Sequence, residues 1–289
     1  MTTYQKFGLI IASNYPGTAF PLGGCIADAE RVRNFLVTQR GFPSTNITTL
    51  YDYAMTKEGI LRSFDTVVAR SHSLAATRQV PAFFLHYSGH GTRVRNSNTR
   101  QFNPIDGFND SDGDEAIVPQ DVTRNGLLLD DEINTRLVQR LHPSTQLFVL
   151  TDCCNSGSNL DLSYQGLSKV SSAGDVAPNI IHAAACRDSQ LAAETAEGGA
   201  ATIKFLRLMA NPPKTVPELR TLLGNLSTSK NKQQPQVSVS KASLVQGELF
   251  PWMLSNTTRT RSISNPISRS RTMTITIPQN LLRSLLRLE

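Results

Sequence analysis

The sequence predicts an α/β protein, a mostly parallel central sheet with helices on both faces. Three observations predict it. Apolar runs of strand length alternate with stretches of helical periodicity along the first half of the chain, the pattern of β-α-β units. Two of those runs, Ala82-Phe83-Phe84-Leu85 and Leu147-Phe148-Val149-Leu150, carry no polar residue, as strands buried on both faces do. Both pass directly into glycine-containing loops, His86 to Gly91 (HYSGHG) and Thr151 to Ser158 (TDCCNSGS).

Phe7 to Ile11 reads as a central strand, and Asn14-Tyr15-Pro16-Gly17 as a turn. Ile26, Ala29, Val32, Phe35 and Leu36 recur at helical spacing, which predicts an amphipathic helix over 25–39, ended by Gly41-Phe42-Pro43. Ile47 to Tyr51 is a second strand. Thr56 caps a second helix carrying Ile60, Leu61, Phe64 and Val67. The strand that leads into His90 comes next. A helix starting near Asp130 carries Ile133, Leu137 and Leu141, and the strand that leads into Cys154 follows it. Tyr164 to Pro178, rich in Ser, Gly and Ala, reads as a flexible loop. Ile180 to Ala185 is a further strand, with helices over about 198–210 and 216–227. Beyond 255, Thr272 to Ile277 alternates like an edge strand and Leu281 to Leu288 like a short helix.

Composition narrows the class. The 289 residues, 39% hydrophobic and 18% charged, suit one large domain or one domain with a tail. No apolar run is long enough to span a membrane, and Met1 to Lys6 shows no signal-peptide pattern. Of the four cysteines, Cys25, Cys153, Cys154 and Cys186, two are neighbours and poor disulfide partners. The expectation is a reducing compartment, cytosol or nucleus. Net charge is +6, and residues 255–289 hold six arginines against Glu289 alone. No aromatic residue interleaves with those arginines, so a solvated basic extension is expected rather than a specific nucleic-acid surface.

In an open α/β sheet, chemistry sits beyond the carboxyl ends of the strands. A histidine and a cysteine delivered there together are the parts of a thiolate nucleophile and its base. A structural zinc on Cys153 and Cys154 is a poor alternative, since zinc pairs need intervening residues. Acids cluster at Asp106, Asp110, Asp112, Asp114 and Glu115, and again at Asp130-Asp131-Glu132. An EF-hand counted from Asp110 fails, because its sixth position is Glu115 where glycine is required.

Seven segments in order, FGLIIASNYPG, LGGCIADAERVRNFL, FFLHYSGHG, DGDEAIVPQD, LLLDDEIN, LFVLTDCCNSGSNLDLSY and IHAAACRDSQLAAET, resemble the metacaspases, caspase-like cysteine peptidases. The resemblance covers roughly residues 4–250. It implies a caspase-like three-layer α-β-α sandwich with a large-subunit-like region over 1–165, a short linker over 166–178, a small-subunit-like region over 179–254 and an unplaced extension over 255–289. It also implies that Cys154 is the nucleophile, His90 the base, and the N–H groups of Gly91 and Cys154 the oxyanion donors; Cys153 then faces the core as a small hydrophobe. The resemblance assigns Cys25, Asp28, Ser88 and Asp152 to a pocket for Arg or Lys, and Asp114, Asp130, Asp131 and Asp161 to an activating Ca²⁺. Lys169, the linker's basic residue, is the candidate for self-cleavage. A monomer acting on polypeptides is expected. The family usually carries His after the nucleophile and this chain has Asn155, which motivates the alternative of a catalytically weak scaffold that acts by binding.

Overall fold

The computed structural model describes residues 3–94, 114–153, 160–170, 175–184, 194–195, 198–225 and 235–254. Within them the elements run β1 (Tyr4–Ala12), α1 (Cys25–Arg40), β2 (Ile47–Tyr51), α2 (Lys57–Ala76), β3 (Val80–Ser88), β4 (Gly91–Val94), β5 (Asp114–Ile117), α3 (Val122–Asn125), β6 (Leu128–Leu129), α4 (Asp130–Arg136), β7 (Gln146–Asp152), β8 (Tyr164–Gln165), β9 (Ser168–Lys169), β10 (Asn179–Ala184), β11 (Glu194–Thr195), β12 (Gly198–Gly199), α5 (Ala200–Leu208), α6 (Val216–Asn225) and β13 (Gln236–Val239). Two helical turns, Ala242–Val245 and Pro251–Leu254, close the described chain.

The main sheet has eight strands in the order β2-β1-β3-β7-β10-β13-β8-β9. From β2 to β10 every pairing is parallel; β13 and the β8–β9 hairpin add antiparallel strands at one side. Successive side chains alternate between faces, and each face has its own core. Leu9, Ile11, Phe83, Leu85, Leu147 and Val149 pack beneath α2 and α4. Ile10, Phe84, Phe148, Leu150 and Ile181 pack beneath α1, α5 and α6. Phe84 and Phe148 stack at 5.5 Å, and Phe205 of α5 lies 5.5 Å from Phe148. Full burial of each such side chain stabilises the fold by about 1.5–3 kcal/mol.

Local chemistry sets the ends. Gly41 adopts φ 64° and ψ 36°, the left-handed conformation that stops α1 after Arg40, and Phe42 N–H returns to the Leu36 carbonyl. Thr56 caps α2 by accepting the Gly59 N–H at 3.0 Å.

Several expectations need correction. The helix at Asp130 stops at Arg136: Leu137 caps it with its N–H on the Ile133 carbonyl, and a separate tighter turn follows over Val138–Arg140. Leu137 and Leu141 are nevertheless buried. Gly198–Gly199 pair as β12, so α5 begins at Ala200. The segment expected to be a flexible loop opens as the β8–β9 hairpin, turned by Gly166 and Leu167 at φ 54° and 66°. The strand β13 and a second sheet, β4-β5-β6, have no counterpart among the expected elements. The readings over 272–288 lie outside the described residues.

Candidate active site

Strands β3 and β7 are neighbours, and their register ends with Ser88 opposite Asp152. The loop carrying His90 therefore leaves the sheet beside the end that carries Cys153. Cys153 is fully buried in the α2-side core. Cys154 and Asn155 lie outside the described residues; Cys154 is the next residue along the chain.

His90 is held from several sides. Its Nε2 lies 2.8 Å from the Phe20 carbonyl oxygen. A carbonyl only accepts, so Nε2 carries the proton and Nδ1 is the basic nitrogen. The Tyr15 ring lies 4.7 Å from the imidazole centroid, and Phe20 meets it edge-on at 5.6 Å. The Phe20 carbonyl is placed by the loop after β1, where Leu22 N–H binds the Asn14 carbonyl and Phe20 N–H binds Thr18 Oγ1.

Gly91 opens β4 and faces Ile117 of β5. Val118 N–H donates to the His90 carbonyl at 3.1 Å. Alternation along an antiparallel ladder then puts Gly91 at a non-hydrogen-bonded position, with its N–H directed away from β5.

The residues assigned to the basic-side-chain pocket lie on the α1 side of the sheet. Cys25 and Asp28 share the first turn of α1, and both are buried. Asp28 Oδ2 accepts the Gly199 N–H at 2.5 Å, and Oδ1 takes Arg31 Nη1 at 3.0 Å. Asp152 Oδ2 accepts the Thr202 N–H at 2.7 Å. Gly199, the N-cap of α5, and the first turn of that helix thus face the two carboxylates with N–H groups, where the helix dipole is positive. Burial, reinforced by Asp152, pushes the Asp28 carboxyl up to about 6 against the pull of the Gly199 N–H and Arg31. Burial also raises Asp152, opposed by hydrogen bonds from α5 and by Lys204. Gly199 is required here, because a Cβ would collide with the Asp152 carboxylate.

Three of the four assigned calcium ligands converge, and Asp114 lies near enough to interact with them electrostatically. One carboxylate oxygen from each of Asp130, Asp131 and Asp161 lies within 4.8 Å of the others. Burial first, then Asp131, raises Asp114. Burial and the neighbouring acids raise Asp130 to about 6 and Asp161 to about 7. Asp130 does not simply cap α4: its carboxylate bridges Glu115 N–H of β5 and Asp131 N–H, each at 2.9 Å. Asp106, Asp110 and Asp112 lie outside the described residues. Lys169 is exposed on β9, paired with Tyr164.

Sequence reasoning missed three participants. A backbone carbonyl such as that of Phe20 has no signature. Tyr15 and Tyr87 sit inside the motif segments, and only their contacts reveal what they touch.

Residues 6–163 match the family model of the metacaspase peptidase C14 domain. The chain is 37% identical over 166 residues to Metacaspase-1A of Neurospora crassa, covering 55% of this chain and 34% of that protein. It spans about a third of the length of the first of its curated relatives. A solved structure of a Geobacter sulfurreducens protein aligns at TM-score 0.58 and 22% identity, over 87% of this chain and 97% of that one. Caspase-1 from Spodoptera frugiperda aligns at TM-score 0.53 and 10% identity, over 83% and 88%. These likenesses in structure establish a caspase-like α/β sandwich.

Proposed function

The chain belongs to the metacaspase family of C14 peptidases, and on that premise we propose that it is a calcium-stimulated cysteine endopeptidase that cuts after Arg or Lys. The β3–β7 register carries this reading, because it brings the His90 loop to the strand end that leads into Cys154.

The chemistry follows from the roles. The Cys154 thiol gives its proton to His90 Nδ1, and the thiolate attacks the scissile carbonyl carbon. The oxyanion is met by backbone N–H groups, that of Gly91 among them. His90 returns the proton to the leaving amine as the C–N bond breaks, leaving a thioester. Water, deprotonated by His90, then attacks the thioester and releases the acid and the thiol. The Phe20 carbonyl holds the imidazole tautomer and stabilises the imidazolium formed midway. The Cys25, Asp28, Ser88 and Asp152 pocket supplies buried negative charge for a guanidinium or ammonium group, through charge-assisted hydrogen bonds.

The Asp114, Asp130, Asp131 and Asp161 set fits a calcium ion: hard carboxylate oxygens gathered from separate segments, with mutual repulsion that a divalent cation relieves. Bound there, the ion would neutralise the cluster and brace β5, α4 and the segment after β7. A reducing compartment would keep the thiol free, and the two-residue edge strand β9 supports a monomer, since short edges resist pairing. Among the described residues no helix is long and apolar enough to cross a membrane.

The test is cleavage of matched fluorogenic peptides ending in Arg, Lys or Asp, with Ca²⁺ or chelator, by wild type and Cys154→Ala. Calcium-dependent cleavage after Arg or Lys that the variant lacks supports the reading. No cleavage by folded wild type overturns it in favour of a binding scaffold.

A further inference from the structure

We propose that Tyr15 and Tyr87 are positioning residues for His90, a buried phenol pair that clamps its backbone from both sides and so fixes the imidazole for proton transfer. The inference rests on His90 serving as the base.

The clamp is complete around one residue. Tyr15 Oη accepts the His90 N–H at 2.9 Å and donates to the Val118 carbonyl at 2.7 Å. Tyr87 Oη donates to the His90 carbonyl at 2.6 Å and accepts the Val118 N–H at 3.3 Å. Each phenol has one proton, and each proton goes to a different carbonyl. The two oxygens are 3.2 Å apart. Both backbone groups of His90 are therefore tied, and both ties lead to Val118, the residue after β5.

Two independent features mark the arrangement as built. Tyr15 has φ 53°, a conformation uncommon outside glycine, held by its N–H on Ser13 Oγ at 2.8 Å. That strain brings its ring against His90. Gly89 lies against the pair, and a Cβ there would stand 2.7 Å from Tyr15 Oη and 2.9 Å from Tyr87 Oη. The glycine before the histidine is thus a consequence of the phenols. Both tyrosines are buried, at 0% and 2% exposure. Burial pushes both hydroxyls far above their ordinary range, so they remain donors throughout the working pH range.

With the backbone fixed, the direction of the His90 Cα–Cβ bond is fixed. The Phe20 carbonyl and the Tyr15 ring then set the ring. Misplacement of a catalytic group by about 1 Å can slow chemistry about a hundredfold.

The experiment uses the full chain with Tyr15→Phe, Tyr87→Phe and both. It reads kcat and KM on an Arg reporter with Ca²⁺, thermal unfolding, and the pH dependence of Cys154 alkylation by iodoacetamide, followed by mass spectrometry. The expected result is a kcat lower by roughly tenfold to a hundredfold, with KM within about twofold, and an alkylation profile displaced on its acid side. A purely structural role would lower the unfolding temperature and leave that profile in place. Should Tyr15→Phe fail to fold, Tyr87→Phe carries the test, because the His90 carbonyl keeps the Val118 N–H. Variants that match wild type in kcat and profile overturn the clamp and leave the peptidase reading standing. A wild type that cuts no peptide, yet whose alkylation profile moves with the phenols, overturns the peptidase reading and keeps the clamp.

Discussion

Asp28 holds the guanidinium of Arg31 at 3.0 Å, one turn further along the same helix. The carboxylate proposed to receive a substrate's basic side chain is therefore already engaged by a cation of its own chain. Its other oxygen is taken by Gly199 N–H. A substrate guanidinium must displace Arg31 or share the carboxylate with it. Arg31→Met removes the competitor and should lower KM for Arg reporters several-fold with kcat little changed. The Arg31 side chain is 42% exposed, so the pair is screened and the gain is modest. An increase in KM would show that Arg31 instead holds Asp28 in place.

Asp28 also sets an acid limit. Its carboxyl is raised to about 6 in the folded chain from its ordinary 3.8. Below about 6 it is protonated and no longer holds a cation by charge, so cleavage after Arg or Lys should fall through that pH. The stability effect has the opposite sign. A raised acid binds more protons folded than unfolded, so its contribution is present at low pH and lost as pH rises through about 6. Asp28→Asn should thus lose Arg cleavage and gain stability relative to wild type as pH rises from 5 to 7.5. Equal cleavage at both pH values by wild type would break the assignment.

Two buried histidines act the other way. Burial lowers His86 to about 4 and His182 to about 3. His86 Nδ1 faces the Leu150 carbonyl at 3.1 Å, and His182 Nε2 faces Thr151 Oγ1 at 2.8 Å. Their folded values lie below the unfolded one, so stability is full above about 6.5 and is withdrawn as pH falls toward the folded values. Each pH unit between the two values is worth about 1.4 kcal/mol, which gives on the order of 3 kcal/mol for His86 and more for His182. The raised carboxyls of Asp28, Asp130 and Asp161 act against this loss, so it is read as a difference between variant and wild type. His182→Gln, which keeps a partner for Thr151, should gain in urea midpoint relative to wild type as pH falls from 6.5 to 4; a difference that does not change with pH would clear His182 of the effect.

How much of this was legible in the sequence depends on the kind of signal. Strands β1, β3 and β7 announced themselves because burial on both faces demands unbroken apolar runs, and α1 because one face is apolar at helical spacing. Strand β5 did not, since DEAI begins with two acids; Glu115 is 1% exposed, and Arg93 of β4 pairs with it there. The β8–β9 hairpin was hidden because its second turn residue is Leu167, which rarely takes a positive φ. At the site, side chains named by motif could be assigned roles. The Phe20 carbonyl and the phenol clamp could not, because they depend on strand ends that only the fold brings together.

The acidic cluster gives a prediction independent of catalysis. A ligand that binds the folded state alone stabilises it by about 2.7 kcal/mol at a hundredfold excess over Kd, which for a chain of this size is a rise in Tm of roughly 5–10 °C. Millimolar Ca²⁺ should produce such a rise in the Cys154→Ala protein, where no self-cleavage can complicate the scan. Asp131→Asn and Asp161→Asn should abolish it, and Mg²⁺ should not reproduce it, since these carboxylates suit a large, flexible shell. A wild-type Tm indifferent to Ca²⁺ would remove the ion from the proposal.

Lys169 tests self-cleavage. Its side chain is exposed on β9, but the amide that follows it is not a free loop bond: Val170 N–H donates to the Ser163 carbonyl at 3.0 Å. A peptidase needs its substrate extended and unpaired, so the bond after Lys169 becomes available only when this hairpin edge opens. Short terminal pairs open at little free-energy cost, so cleavage there is permitted but should lag behind cleavage of peptide reporters. With Ca²⁺, intact mass spectrometry should show wild type converting slowly to fragments that divide after Lys169. Lys169→Ala and Cys154→Ala should stay whole at that bond. Fragments that divide elsewhere, with the Lys169 bond intact, would show that the enzyme passes over the paired edge for another basic residue.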